Sequence, residues 1–259
     1  MNINLNGKTA LVCGSTAGIG KATAIELADL GANVILMARN EGKLQASLQE
    51  LKKEGNQQHS YAVADFSDST TVQKAVVGIS QTVHILVNNT GGPPGGPIID
   101  AKASEFISAF SMHLLCNHLL VQAVKEGMIE SGYGRIINII STSVKQPLNG
   151  LGVSNTVRGA VANWSKTMAN ELGEHGITVN NVLPGATATE RLGSIVANKA
   201  AKSGKEEAEV LKAMENQVPL KRVAKPEEIA AAVAFLASPA ASYINGINVP
   251  VDGGRTGCL

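Results

Sequence analysis

Apolar positions along the chain follow two alternating patterns. Short, nearly solid runs occur at Thr9–Cys13, Asn33–Ala38, Ser60–Ala64, Ile85–Asn88, Arg135–Ile140, Thr178–Leu183 and Ile247–Val251. Longer segments with apolar residues at helical spacing separate them, at Ile19–Leu30, Glu41–Glu54, Thr70–Ile79, Ser104–Ser131, Ser154–His175 and Pro226–Ala237. Runs apolar on both sides suit strands buried on both faces, which is the setting of a parallel sheet. Strand and helix in strict alternation predict an α/β fold, a doubly wound parallel sheet in a three-layer αβα sandwich. Residues 186–223 break the alternation and are rich in Ala, Lys and Glu. They predict a mobile helical flap of the kind that covers active sites. Gly91–Pro97 (GGPPGGP) reads as a stiff loop.

Composition narrows this picture. No Pro/Gly/Ser-rich linker divides the 259 residues, so residues 1–259 are read as a single domain. Aromatics make up 3% of the chain, which leaves the core to Ala, Val, Leu and Ile. A net charge of +1 gives no electrostatic case for nucleic acid or a membrane surface. The longest apolar run, Ile229–Ala237, is far short of the roughly 20 residues of a membrane span. Cys13, Cys116 and Cys258 are odd in number and widely spaced, which points to a reduced, cytoplasmic protein. The polar start (Asn2, Asn4, Asn6) does not read as a signal peptide. No metal site is expected.

The chemistry begins where the first strand meets the first helix. Gly14-x-x-x-Gly18-x-Gly20 allows a tight turn and close backbone approach to a pyrophosphate, with a helix N-terminus supplying free N–H groups. The second strand ends Met37-Ala38-Arg39. A site selecting NAD places a carboxylate there for the ribose 2′-hydroxyl, whereas arginine suits a 2′-phosphate. NADP is therefore expected, with NAD still possible, because Ala17 lacks a further basic residue. Asp65 ends the third strand and reads either as an adenine contact or as a helix N-cap.

These residues, together with Asn88-Asn89-Thr90-Gly91, Ser141, Pro184-Gly185 and Val251-Asp252-Gly253-Gly254, resemble the short-chain dehydrogenase/reductase family from end to end, especially members of 3-oxoacyl-ACP reductase type. The resemblance implies a Rossmann fold and hydride transfer between NADP(H) and a ketone/alcohol pair or a 3-oxoacyl substrate. It places Gly14, Ser15, Thr16, Gly18, Ile19, Gly20, Asn89 and Gly91 around the cofactor. It also gives Asp65 the adenine amino group, and Pro184, Gly185 and Thr189 the nicotinamide amide and phosphates. Ser141 would hold the substrate carbonyl. Partners would be a small-molecule substrate and further copies of the chain, as a homotetramer or dimer.

The chain departs from that pattern at proton transfer. A Tyr-x-x-x-Lys pair should follow the serine by about a dozen residues, and here the positions hold Ser154 and Arg158. No tyrosine in the chain has lysine four residues later, so no shift of register restores the pair. Arg158 can keep a positive charge beside the ribose, but a guanidinium holds its proton too tightly to serve as the acid. A serine hydroxyl is a far weaker acid than a phenol titrating near pH 10. The family's supporting asparagine aligns with His113, one helical turn before Asn117. His113 reads either as a substitute acid, acting through Ser154 or a water, or as a satisfied buried histidine. Three functions remain open. One is a reductase with an atypical proton donor. Another is a catalytically impaired nucleotide-binding protein with a sensing or assembly role. Least supported is a non-redox enzyme like the halohydrin dehalogenases, which keep the tyrosine and lose the glycine loop.

Overall fold

The computed structural model describes residues 1–258. Its strands are β1 (Thr9–Cys13), β2 (Asn33–Ala38), β3 (Ser60–Val63), β4 (Ile85–Asn88), β5 (Gly134–Ile139), β6 (Ile177–Pro184) and β7 (Asn248–Val251). They form one seven-stranded sheet in the order β3-β2-β1-β4-β5-β6-β7, and every neighbouring pair is parallel. The helices are α1 (Gly18–Asp29), α2 (Glu41–Gln49), α3 (Ser69–Val77), α4 (Ala103–Phe110), α5 (Cys116–Glu130), α6 (Gly152–Leu172), α7 (Glu190–Ser203), α8 (Glu207–Asn216) and α9 (Pro226–Ala237).

Consecutive strand residues point to opposite faces, and each face has its own core. Val12, Leu36 and Val87 pack with Ala24 and Leu27 of α1 and Ile229 and Val233 of α9. Their neighbours Leu11, Ile35 and Leu86 pack with Val72 of α3, Leu120 and Val121 of α5 and Ala169 of α6. This is the three-layer Rossmann arrangement expected from the solid apolar runs. Each such aliphatic side chain contributes about 1.5–3 kcal/mol on burial.

The chain runs outward from β1 through β2 to β3, then returns to β4 on the other side of β1. The carboxyl ends of β1 and β4 therefore flank the point where strand order reverses, the place where open α/β sheets hold ligands. Four asparagines run in register across the other half of the sheet. Asn88 donates to Asn138 at 2.8 Å, Asn138 to Asn181 at 3.0 Å and Asn181 to Asn248 at 2.8 Å. Each amide supplies the partner that the next needs when buried, so a polar row crosses the interior. It ties together the strands whose ends carry the site.

Two local features differ from the expectations. Helix α2 stops at Gln49 because Lys52-Lys53-Glu54 has nothing apolar to bury and Gly55 turns left-handed at φ 59°. The long helix expected at Ser104–Ser131 is continuous, but a π turn at Ser111–Leu115 interrupts it between α4 and α5. The stretch Ala103–Glu130 is long and apolar enough to cross a membrane by length and composition. Here Leu120, Val121, Val124 and Met128 of that stretch lie in the core against the sheet. Residues 186–223 form the α7–α8 pair, whose Leu192, Val196, Ala200 and Val210 make a small cluster of their own.

Candidate active site

The glycine loop lies at the reversal point. Gly14 adopts φ 58°, and a Cβ there would come within 2.6 Å of the Asn89 carbonyl oxygen at the end of β4. At Gly20 a Cβ would overlap the Gly14 carbonyl oxygen and lie 2.6 Å from Asn89 Nδ2. Gly18, at φ 52°, leaves 3.0 Å to the methyl of Thr189. The backbone is thus drawn into a cradle that side chains would fill. Ala17 gives α1 no side-chain cap, and no acidic residue occupies its first turn. Its leading N–H groups and positive dipole end are left for an anion. The Ser15 hydroxyl, fully buried in the same turn, has no hydrogen-bond partner. Uncapped helix, bare cradle and orphaned hydroxyl fit a dinucleotide pyrophosphate. Thr16 and Ile19 are half-buried on either side.

Arg39 is exposed at the end of β2, facing Asp65 after β3. Hydrogen bonds from the Ser67 N–H and hydroxyl hold the Asp65 carboxyl below the usual range, with help from the Arg39 charge. Asp65 is not the cap of the following helix. Asp68 is, accepting from Thr70 N at 2.9 Å. That removes the capping alternative and leaves the Asp65 carboxylate beside the arginine.

The other motif residues hold the backbone more than they present side chains. Asn89 Nδ2 donates to the Cys13 and Gly14 carbonyls at 3.2 and 3.3 Å, bracing the glycine turn against β4. Gly91 is exposed beyond it. Gly185, following Pro184, leaves only 2.7 Å from a would-be Cβ to Asp252 Cα, so the closing Asp252-Gly253-Gly254 segment fits against it. Thr189 caps α7 through its hydroxyl, which accepts from Leu192 N at 3.4 Å.

Ser141 follows β5. Its Oγ accepts from Ser143 N at 3.1 Å, capping a single 3₁₀ turn, and its O–H remains free to donate. Ser154 is half-buried near the start of α6, and Arg158 lies one turn further along. Arg158 is 7% exposed, and its Nη1 donates to the Ile139 carbonyl at 3.1 Å, two residues before Ser141. Burial, aided by the charge of Arg191, lowers its pKa to about 10, so it is a cation at neutral pH. That hydrogen bond anchors it to the sheet.

His113 sits in the π turn, 1% exposed, sharing a 2.6 Å hydrogen bond with Thr90 Oγ1 through Nδ1. Its Nε2 is buried without a partner. Burial pushes its pKa down to about 2, with further lowering from the charges of Arg158 and Arg191. His113 is therefore a neutral imidazole at working pH and carries no imidazolium proton for a relay. The sign of the stability effect follows. The unfolded chain binds a proton at His113 near pH 6.5, while the native chain resists down to about pH 2. Stability is retained above pH 6.5 and falls as pH drops below it, by up to about 1.4 kcal/mol per pH unit. Melting scans of His113→Asn should show a shallower acid decline between pH 6.5 and 4; a slope equal to that of the unmodified chain would mean the ring is solvated.

The tyrosines offer no displaced phenol. Tyr61 donates to Glu41 at 2.9 Å, Tyr133 donates to the Ala237 carbonyl at 2.6 Å, and Tyr243 is fully exposed. Asn117 is buried one turn past His113. Among the described residues no three His, Cys, Asp or Glu gather as a metal site. Two residues escaped the sequence reading. Ser143 has a buried, unpartnered hydroxyl two residues beyond Ser141. Arg191, in the first turn of α7, reaches across the cleft to the Pro93 carbonyl at 2.6 Å. The one signal for Arg191 was a basic residue placed two after Thr189, in a segment whose helices carry no strand pattern to fix them.

Residues 14–256 match the family model described as enoyl-(acyl carrier protein) reductase. The 3-oxoacyl-[acyl-carrier-protein] reductase FabG of Vibrio cholerae is 37% identical over 254 residues, covering 97% of this chain and 98% of that protein. Gluconate 5-dehydrogenase of Gluconobacter oxydans is 33% identical over 256 residues, covering 98% and 96%. Among solved structures, L-sorbose reductase from Gluconobacter frateurii, complexed with NADPH and L-sorbose, superposes with a TM-score of 0.93 at 29% identity and full coverage of both chains.

Proposed function

The chain belongs to the short-chain dehydrogenase/reductase family, and from that premise we propose that it is an NADP-dependent oxidoreductase acting on the carbonyl of a small molecule. The backbone cradle at Gly14, Gly18 and Gly20, closed by Asn89 and facing an uncapped helix, is the observation that carries this reading. Arg39, with Ala38 in the acidic slot, favours NADP over NAD. The solved sorbose reductase, in complex with NADPH, is in keeping with that choice.

When bound, the reduced nicotinamide would supply hydride. The chain's own residues then have three tasks. The free O–H of Ser141 holds the carbonyl oxygen. Arg158, fixed beside the same strand end and largely out of water, stabilises negative charge developing on that oxygen. The proton comes from water, since Ser154 is too weak an acid and His113 is neutral. Loss of a positioned acid lowers rate by about 10²–10⁴-fold, whereas holding two reactants in place is worth about 7–11 kcal/mol. A slow reductase is the expected balance. The α7–α8 pair, packed on its own small cluster, would move as a flap over the cleft.

A second reading is a nucleotide-binding protein with impaired catalysis and a role in sensing or assembly. It is favoured by Arg158 being held by Ile139 and by Ser141 serving as a cap. Under either reading the exposed Ile107, Phe110 and Leu115 on and after α4 supply an apolar face for a homotetramer or dimer. The free cysteines favour a reducing compartment such as the cytoplasm.

NADPH titration by fluorescence tests the shared premise. Saturable binding tighter than that of NADH is expected. Arg39→Gln should weaken NADPH by about 10–100-fold, the worth of a charged hydrogen bond, and spare NADH. Failure to bind either dinucleotide would sink both readings. Binding without turnover across ketones and 3-oxoacyl thioesters would select the second.

A further inference from the structure

Few links bind the α7–α8 pair to the rest of the chain. Its Leu192, Val196, Ala200 and Val210 pack on one another and on Ala186 and Val223 at its own base, and α7 and α8 touch chiefly each other. That base is a narrow neck, where Ala188 N–H donates to the Ala224 carbonyl and Ala224 N–H to the Ala186 carbonyl, both at 2.8 Å. Past α8, Gln217 accepts from Arg255 at 3.3 Å. Among the described residues, the side chains of α7 and α8 make one hydrogen bond to the body of the chain, from Arg191 Nη2 to the Pro93 carbonyl at 2.6 Å. Segments with so little apolar contact to the core are those that open locally.

The acceptor of that bond is held in place. The Pro93 ring fixes its own φ, and Pro94 keeps Pro93 extended. Gly92 leaves room for the guanidinium, since a Cβ there would lie 3.4 Å from Arg191 Nη2. Further along, the same loop is zipped to the segment entering α6. Gly96 N–H donates to the Gly150 carbonyl at 2.8 Å, and Gly152 N–H to the Gly96 carbonyl at 3.2 Å. A Cβ on Gly152 would stand 2.6 Å from Ile98 Cα, so the two backbones are in contact. Ser154 comes two residues later. A cleft of about 210 Å³ lies alongside, lined by Thr142, Gln146 and Leu148 after Ser141 and by Gln217 at the end of α8.

We propose that Arg191 is a positioning residue: its bond to Pro93 latches the α7–α8 flap onto the Gly91–Pro97 loop, and so sets both the width of the substrate cleft and the place of the segment that carries Ser154. The role toward substrate rests on the reductase reading, while the latch rests on the contacts alone. A bond made only in the latched state favours that state by its own free energy. For one charged donor on a carbonyl at an exposed site, that is about tenfold.

Hydrogen exchange read by mass spectrometry on the full chain, free and with NADPH, compares the unmodified protein with Arg191→Gln, Arg191→Lys and Lys199→Gln. Lys199 is exposed on the same helix, so its variant removes an equal charge and keeps the latch. Amides of residues 190–216 should exchange about tenfold faster in Arg191→Gln, and those of Gly96 and residues 150–156 about threefold faster, with β1, β4 and β5 unchanged. Lys199→Gln should match the unmodified chain. Arg191→Lys should recover part of the protection, because an ammonium still donates to one carbonyl. With acetoacetyl-CoA as the ketone probe, Arg191→Gln should raise KM about tenfold, with kcat and the NADPH dissociation constant within threefold. Unchanged exchange at 190–216 in Arg191→Gln, or equal acceleration in Lys199→Gln, would overturn the latch. So would faster exchange across the whole sheet, which would make Arg191 a general support of the fold. Faster flap exchange with KM unchanged would overturn the positioning role, and a tenfold loss of NADPH affinity would assign the arginine to the cofactor instead. If neither NADPH binding nor turnover is seen, the reductase reading falls, and exchange on the free protein still decides the latch.

Discussion

One methyl group at Gly20 should abolish cofactor binding: Gly20→Ala is expected to raise the NADPH dissociation constant at least ~100-fold, or about 2.7 kcal/mol. Gly20 has no positive φ, so backbone strain is not the cause. The cause is space. The new Cβ would overlap the Gly14 carbonyl oxygen and stand 2.8 Å from its carbon. Those are backbone atoms, and Asn89 Nδ2 holds the same carbonyl to β4. The turn has no slack, and relieving the overlap must open the cradle that receives the phosphates. Gly18→Ala is the milder comparison, because its Cβ would meet only a threonine methyl at 3.0 Å and its φ of 52° costs about 1–2 kcal/mol. Gly159→Ala is the control. It lies in α6 with nothing within 4 Å, and it should stabilise the helix slightly. Fluorescence titration alongside circular dichroism separates lost binding from lost fold. If Gly20→Ala folds and binds NADPH within threefold of the unmodified chain, the pyrophosphate is held elsewhere. If it does not fold, Gly18→Ala carries the test.

The central strands were legible because they are apolar on both sides, a pattern that burial between two helical layers demands and few other settings allow. Strand ends were off by a residue or so where hydrogen bonding continues into polar positions, as at Pro184 of β6. The π turn at Ser111–Leu115 left no mark in a sequence of ordinary helix formers. The asparagine row was equally hidden. Asn88, Asn138, Asn181 and Asn248 pair only once the strands are in register, and the register is fixed by neighbours tens of residues away.

The site divides along the same line. Glycines needing close approach declare themselves by type and spacing, so the cradle could be read before it was seen. The position of His113 could be read as well, but its charge state could not, since burial depends on what packs around it. Asp65 reads by sequence as a possible cap, and geometry gives that role to Asp68 instead. Arg191 belongs to the segment without strand pattern, so nothing in the sequence placed it opposite Pro93.

Restoring the phenol should have the largest effect on rate. The double variant Ser154→Tyr/Arg158→Lys is expected to reduce simple ketones with NADPH about 10²–10⁴-fold faster than the unmodified chain, the usual worth of a positioned general acid. Ser154 is half-buried in the first turns of α6, on the face it shares with Arg158, so a tyrosine there can reach the cleft holding Ser141. Lysine lacks the guanidinium fork that bonds the Ile139 carbonyl and can turn its single ammonium toward a ribose and a phenol. Its charge should lower the tyrosine pKa from near 10. The pH profile would then gain a limb that the unmodified chain, with His113 neutral throughout, does not have. Ser154→Tyr alone should recover part of the rate, because the fixed cation of Arg158 still favours the phenolate but cannot follow the ribose. If the double variant binds NADPH normally and its turnover stays within threefold of the unmodified chain, the missing phenol is not what limits this site. Catalysis would then rest on the Ser141 and Arg158 electrostatics alone.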